Sequence, residues 1–364
     1  MRRQIVTGLI VLMVAFTGAG VGFAGSATAT GDSPAGLATA DEATCAYPMT
    51  VEDATGEEVT IDEEPERIVA LHPSVAQVLW DIGASERVVG MPVNQYTAYL
   101  DGHDEPENVY GDDGWPVNER IVDTDPDLVI GAGVEPDRAE ALRESGLTVY
   151  ALPPSASIDD IAEKTLTVGE LVGACEGAEE TVAWMDERIE AIEEALGDED
   201  RPTAYYAMGG GWTPGAGTFQ DEMLTVAGAE NLAANAGIEG WAEMSDEMLV
   251  DEDPDWIVYG DGEDEPPVSE AAAETTAMQE DQTVAVNAQY LNQDGPRIVY
   301  AIEEMAEAFH PEAMEASDVD AEEDDGEATD DDAADDSDAF GTPGFGAIPA
   351  LIALFVTGVL ALRR

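Results

Sequence analysis

The middle of the chain alternates short apolar runs with segments of helical period. Arg67-Ile68-Val69-Ala70-Leu71 reads as a buried strand, and the spacing predicts a helix over 74–83 with Ser74 as its N-cap. Arg87-Val88-Val89-Gly90-Met91, Asp127-Leu128-Val129-Ile130-Gly131 and Thr148-Val149-Tyr150-Ala151-Leu152 read as further strands, with a helix over 136–146. Such alternation predicts βαβ units and a mostly parallel sheet. The pattern restarts after Asp200, with strands over 203–208, 256–260 and 283–286 and helices over 219–228 and 297–309. Between the halves, Val182, Met185, Ile189, Ile192 and Leu196 recur at helical spacing. From 178 to 196, at 1.5 Å per residue, this is a rod of roughly 28 Å. The expected fold class is α/β: two Rossmann-like lobes, 45–177 and 198–312, with mostly parallel sheets joined by one long rigid helix over 178–197. One more packing helix would show the same periodicity.

Both ends depart from this pattern. Residues 1–29 carry Arg2 and Arg3, an apolar run over 5–16 and small residues up to Ala29, the layout of an export signal. A first transmembrane anchor is the rival, though Gly8, Gly18, Gly20 and Gly22 interrupt the run. Near the other end, 318–338 holds 13 acids in 21 residues, which cannot form a core. An acidic disordered stalk is expected over 313–342. Pro343-Gly344-Phe345, an apolar stretch over 346–362 and Arg363-Arg364 follow. That stretch is just long enough to cross a hydrocarbon layer, which takes about 17–25 residues, and terminal arginines suit the cytoplasmic face. This C-terminus resembles the archaeal PGF-CTERM sorting signal, in which the tripeptide is cut and the new end joined to a lipid. A plain transmembrane anchor fits the same residues. Either reading anchors an exported protein on the outer face of the membrane.

Charge narrows the partners. Among 364 residues, 80 acids oppose 13 bases, a net charge of −67. Such a surface repels phosphate backbones and argues against nucleic acid. Self-repulsion this large acts over roughly 30 Å at low salt but only about 3 Å at molar salt, so the composition fits a halophilic setting. The two cysteines, Cys45 and Cys175, are expected to pair as a disulfide outside the cell. A lipobox at Cys45 competes, but Glu42-Ala43-Thr44 precedes it and no apolar run leads in.

Candidate catalytic chemistry is sparse. His72, His103 and His310 lie far apart, which disfavours a bare-metal cage. Gly209-Gly210-Gly211 lacks the Lys-Ser/Thr of a phosphate loop. No nucleophile–base pair stands out, so the chain reads as a binder and not an enzyme. Open α/β sheets bind ligands at strand ends, where this chain places aromatics among Gly, Pro and Asn: Tyr96, Trp115, Trp212, Trp241 and Tyr290. Each can bury about 150–250 Å², which suits a broad flat macrocycle. Trp80, Trp184 and Trp256 lie in periodic apolar segments and read as core.

Several blocks resemble the iron-siderophore and cobalamin binding proteins of ABC importers. Thr50-Val51-Glu52-Asp53-Ala54-Thr55-Gly56 with Pro65-Glu66-Arg67-Ile68-Val69 looks like the family's opening. Glu119-Arg120-Ile121 with Asp125-Pro126-Asp127-Leu128-Val129-Ile130 resembles its next block, and Gly217-Thr218-Phe219 with Ala227-Gly228-Ala229-Glu230-Asn231 its second lobe. Gly295-Pro296-Arg297 with His310-Pro311-Glu312 resembles its end. The resemblance implies two lobes joined by a rigid helix, ligand held between them with little closure, and delivery to a permease and its ATPase by a monomer. Cobalamin binders of this family place aromatics at positions matching Tyr96, Trp115, Trp241 and Tyr290. Their Trp-Pro-x-x-Ser-x-Glu block is similar to Trp241-Ala242-Glu243-Met244-Ser245-Asp246-Glu247, with Ala242 departing from the proline. By the same resemblance, Glu119 and Glu247 dock one lobe each on the permease. A neutral or mildly cationic corrinoid suits a cleft with few arginines and a negative field. Ferric siderophore or haem is the alternative ligand. A surface module without a transport role is the alternative function.

Overall fold

The computed structural model describes residues 45–317 apart from Glu135 and Asp198. The expected export signal, the acidic segment from Asp318 onward, and Pro343-Gly344-Phe345 with the apolar stretch behind it lie outside the described residues.

An antiparallel ribbon opens the fold, β1 (Met49–Glu52) on β2 (Glu58–Ile61), turning Val59 and Ile61 inward. Then come β3 (Ile68–Ala70), α1 (Pro73–Asp81), β4 (Val88–Met91), β5 (Glu107–Asn108), α2 (Asn118–Asp123), β6 (Leu128–Ala132), α3 (Pro136–Glu144) and β7 (Val149–Leu152). The five later strands form one parallel sheet in the order β5-β4-β3-β6-β7. Side chains of a strand alternate between faces, and a parallel sheet buries both. Accordingly Ile68 and Ala70 pack with Val75, Val78 and Leu79 of α1, while Val69 and Leu71 pack with Ile121, Ala139 and Leu142 on the opposite face. This is why the run from Ile68 to Leu71 is apolar without interruption.

The second half has β8 (Thr203–Tyr206), β9 (Trp212–Pro214), α6 (Phe219–Val226), β10 (Glu230–Asn231), α7 (Leu232–Asn235), β11 (Trp241–Glu243), α8 (Asp246–Glu252) and β12 (Trp256–Gly260). The chain continues through α9 (Thr276–Gln279), β13 (Thr283–Val286), α10 (Ala288–Leu291), α11 (Ile298–Phe309) and α12 (Pro311–Glu315). Its parallel sheet runs β10-β8-β12-β13, and β9 with β11 forms a separate antiparallel ribbon. The same alternation holds: Ala204, Tyr206 and Val258 feed one core, Tyr205, Ala207 and Ile257 the other.

Two helices lie between the lobes. The linker helix α5 (Cys175–Leu196) has 22 residues, about 33 Å at helical rise. Its Ala178 packs in the first lobe's core, and Met185, Ile192 and Leu196 in the second's. It starts at Cys175, not 178, because Gly173 in the left-handed region (φ 75) ends the preceding helix tightly. That preceding helix, α4 (Ile158–Val172), was not expected to bridge, yet it does: Ile161 lies in the second core, and Val168, Leu171 and Val172 in the first. A capping box of Ser157 and Asp160 starts it. Among the described residues no helix is long and apolar enough to cross a membrane.

Cys45 and Cys175 form a disulfide with Cα atoms 6.0 Å apart, tying the start of the described chain to the first residue of the linker helix. The second lobe also runs past the expected boundary at 312, since Ala313 and Met314 continue as α12 and Met314 is buried in its core.

Candidate functional site

In each lobe, successive connections leave one strand in opposite directions, the geometry that opens a crevice at the strands' C-terminal ends. In the first lobe the reversal lies between β3 and β6, in the second between β8 and β12. Tyr96, Trp115 and Trp212 come on the segments that leave β4, β5 and β8, and Tyr290 on the short helix after β13, whereas Trp241 follows α7.

Tyr96 follows β4 and is 44% exposed; its carbonyl accepts a hydrogen bond from Nε2 of Gln293 at 2.9 Å, so it sits where the lobes meet. Trp115 stands at the tip of a tight loop closed by Gly111 N–H donating to the Trp115 carbonyl at 2.8 Å. It is 65% exposed. Trp212 and Trp241 occupy the β9–β11 ribbon, where Trp241 pairs with Pro214 and Glu243 with Trp212. Those four residues share one face, which makes the two indoles diagonal neighbours within mutual reach. Both are about half exposed, and Met208 and Met248 of the same lobe are exposed as well. Tyr290 differs from the expected free loop aromatic: it lies on α10, half-buried against the second core, with its ring edge-on to Tyr99 at 5.8 Å. The structure thus brings Trp212 and Trp241 together, sets Tyr290 near the seam by Tyr96, and places Trp115 on the first lobe. Trp80, Trp184 and Trp256 pack against the cores, as their periodic segments suggested.

Glu119 lies in the first turn of α2 and Glu247 in the first turn of α8, one per lobe, both exposed. Neither takes part in a salt bridge among the described residues.

Between the lobes lies a polar seam that sequence reasoning missed. Asp81, at the end of α1, accepts from Nε and Nη2 of Arg297 at 2.9 and 2.7 Å. Gln77, one turn earlier, accepts from the Arg297 backbone N–H at 3.0 Å and donates to the Tyr99 hydroxyl at 2.6 Å. A side chain at Gly295 would collide with the Gln77 amide and push it out of its bonds, so glycine there lets the loop close on Gln77. Deeper in the seam, Nζ of Lys164 on α4 is 2.6 Å from Oδ2 of Asp294, which also accepts from Ser155 at 2.9 Å. Lys164 is the chain's single lysine, and its side chain is 1% exposed. Burial alone would raise Asp294; the Lys164 ammonium beside it, His72 and the Ser74 hydroxyl together outweigh burial and hold the carboxyl below its ordinary value. Burial raises Asp81 despite Arg297, and Oδ2 of Asp81 has no partner. Burial also pushes the Tyr99 hydroxyl up to about 12. The one sequence cue to this seam was the lysine's singularity.

His72, not Ser74, caps α1: its Nδ1 accepts from the Ser74 N–H at 3.3 Å and lies 2.8 Å from Ser74 Oγ. Pro73 takes the first helical position, which its fixed φ suits, and this puts the cap two residues earlier than expected. Among the described residues no group of three or more His, Cys, Asp or Glu could hold a metal ion.

Comparison with known proteins completes the picture. Residues 68–290 match the family described as periplasmic binding protein. A relative in Halobacterium salinarum, named cobalamin-binding protein, is 40% identical over 343 residues, covering 91% of this chain and 92% of the relative. Among solved structures, the periplasmic heme-binding protein RhuT of Roseiflexus aligns with TM-score 0.60 and 24% identity, over 68% of this chain and 99% of RhuT. Helicobacter pylori CeuE aligns with TM-score 0.64 and 22% identity, over 75% of this chain and 92% of CeuE. These two likenesses establish the two-lobed fold.

Proposed function

The chain belongs to the periplasmic binding protein family, and we propose that it is the extracellular substrate-binding protein of an ABC importer, capturing a corrinoid such as cobalamin between its lobes. The observation that carries this reading is the 40% identity, over nearly the full length of both chains, to a protein named for cobalamin binding. The geometry supports it. Broad indole faces on one lobe and aromatics at the seam suit a large flat ring more than a compact ion. Both seam cations are already paired with carboxylates, which leaves an anionic ferric complex or a haem carboxylate no obvious counter-charge there. Tyr96, Trp115, Trp212, Trp241 and Tyr290 are the proposed contacts. Glu119 and Glu247 are proposed to meet the permease, and the C-terminus from Pro343 to anchor the exported chain on the outer face, in a salt-rich setting.

Isothermal titration of the full chain in molar salt against cobalamin, cobinamide, haem and a ferric siderophore panel tests this. Tight binding of both corrinoids is expected. Preference for haem or a siderophore would replace the corrinoid reading with its alternative.

A further inference from the structure

His72 is the first residue beyond Leu71 at the end of β3, the strand at which the first sheet reverses its order. Its backbone surroundings are fixed: Leu71 N–H donates to the Ile130 carbonyl at 2.8 Å, and the Tyr110 hydroxyl donates to the Leu71 carbonyl at 2.7 Å. The ring is oriented too, since the Ser74 N–H points into Nδ1. Ser74 Oγ in turn lies 3.4 Å from Lys164 Nζ, whose partner Asp294 belongs to the other lobe. The imidazole therefore stands at the lobe seam, at the C-terminal end of a sheet, on a base that cannot easily shift.

What the ring offers follows from proton placement. Nδ1 is used as an acceptor, so a neutral ring carries its proton on Nε2. Burial lowers the His72 pKa, and the paired Asp294 and Lys164 nearby act on it in opposite senses. Nε2 has no hydrogen-bond partner among the described residues. The only buried side-chain polar atoms without partners there are Asp81 Oδ2, Thr213 Oγ1 and Gln220 Oε1, so Nε2 keeps contact with solvent. An oriented donor with solvent contact that the fold leaves unused is what a binding site presents and a purely structural N-cap does not need.

We propose that Nε2–H of His72 donates a hydrogen bond to an amide oxygen on the rim of the bound corrin ring. This inference rests on the corrinoid reading and assigns a residue to it. A neutral donor beside the closed Lys164–Asp294 pair matches an uncharged acceptor, and corrinoids carry primary amides around the ring where haem carries carboxylates. Binding energy would be spent where it separates these ring systems. A site built around a polar group discriminates by leaving that group unpaired with the wrong ligand. Cobalt coordination by Nε2 is a different use of the ring, since it needs the proton on Nδ1, where Ser74 N–H now points.

His72→Asn separates binding from capping. Asparagine is a strong N-cap whose oxygen can still accept from the Ser74 N–H, but it cannot place a donor where Nε2 lies. The full-length variant is titrated with cobalamin and with cobinamide, which lacks the nucleotide loop, while thermal unfolding and the visible bands of the bound corrinoid are recorded. The expected result is a loss of about tenfold in affinity for both corrinoids, with unchanged melting and unchanged bands. Unaltered affinity overturns the proposal. So does a loss confined to cobalamin, which would put the acceptor on the nucleotide loop, or a band present in the wild type and absent in the variant, which would mean coordination. Should His72→Asn fail to fold, His72→Ser provides the second arm: serine is also a strong N-cap, but its short hydroxyl cannot reach where Nε2 lies, so both corrinoids should weaken by about tenfold, and unchanged affinity rejects the assignment. A wild type that binds neither corrinoid would refute the functional reading itself, a result distinct from any of these.

Discussion

The seam between the lobes and the outer faces that carry Glu119 and Glu247 use charge in opposite ways. At the seam, Lys164 meets Asp294 and Arg297 meets Asp81 with little solvent access, and each pair joins parts of the chain that are 130 and 216 residues apart. On the outside, Glu119 and Glu247 stand exposed with no ion-pair partner among the described residues. In molar salt a surface charge is screened within about 3 Å, whereas a buried pair is screened much less. A protein this acidic can therefore hold its lobe geometry with charge only where salt does not reach. The lone lysine is spent there.

The sharpest way to break this comparison is Lys164→Met, which keeps the volume and leaves Asp294 buried without its counter-ion. Removing one partner of a buried pair costs about 3–5 kcal/mol. Denaturant unfolding should show that loss at both low and molar salt. A loss that vanishes in molar salt would mean the seam is screened like the surface, and the distinction would fall.

The rim between these two regions gives the next effect. Trp212→Ala and Trp241→Ala each remove an exposed indole from one face of the β9–β11 ribbon. Each should weaken corrinoid binding by about 1–3 kcal/mol while changing stability little. Because the two rings are diagonal neighbours, the double variant should lose less than the sum of the singles. Strict additivity, measured by titration, would place them in separate sites.

How far the sequence showed this differs between the same regions. The strands were legible because burial on both faces makes runs such as Leu128-Val129-Ile130 apolar throughout, and the linker helix because its apolar positions keep one period across two cores. The exposed indoles were legible from their turn-rich neighbours. The seam was not, since no local period announces that Gln77 will meet Arg297. Two local errors were avoidable: Pro73 pointed to a cap at His72, and the spacing of Ile161, Thr165, Val168 and Val172 could have marked α4 as a second bridge. Tyr290 was misjudged because Asn and Gln around it suggested a loop, where packing against Tyr99 and Tyr300 sets a half-buried helix.

A smaller effect comes from acid. The His72 pKa is lowered in the fold, chiefly by burial, so the unfolded chain binds this proton more readily than the native one. Its contribution to stability is complete above the ordinary value of 6.5 and is lost as pH falls through the lower folded value. Asp294 acts in the same sense at lower pH, and Asp81, whose pKa is raised, in the opposite one. Between pH 7 and about 5, therefore, His72→Asn should flatten the fall in stability relative to the wild type. Equal slopes in the two proteins would show that the ring is not held neutral.

The smallest expected effect is the one that sharpens the comparison most. Glu119→Gln with Glu247→Gln changes two exposed first-turn carboxylates that have no ion-pair partner among the described residues. Each favours its helix N-terminus by about 0.3–1 kcal/mol at low salt and less when screened, so stability in molar salt should hardly move. Ligand affinity should not move either, because neither residue belongs to the seam or the ribbon. If these carboxylates dock the lobes on a permease, import by cells should nevertheless fall, because an interface that excludes water restores the strength that salt removes from exposed charges. Loss of import with binding intact would mean that surface charge in this protein acts only once a partner covers it, the condition the seam meets permanently. Normal import would leave the two glutamates as ordinary solvated residues and withdraw their docking role, while the seam's part in holding the lobes would stand on Lys164→Met alone.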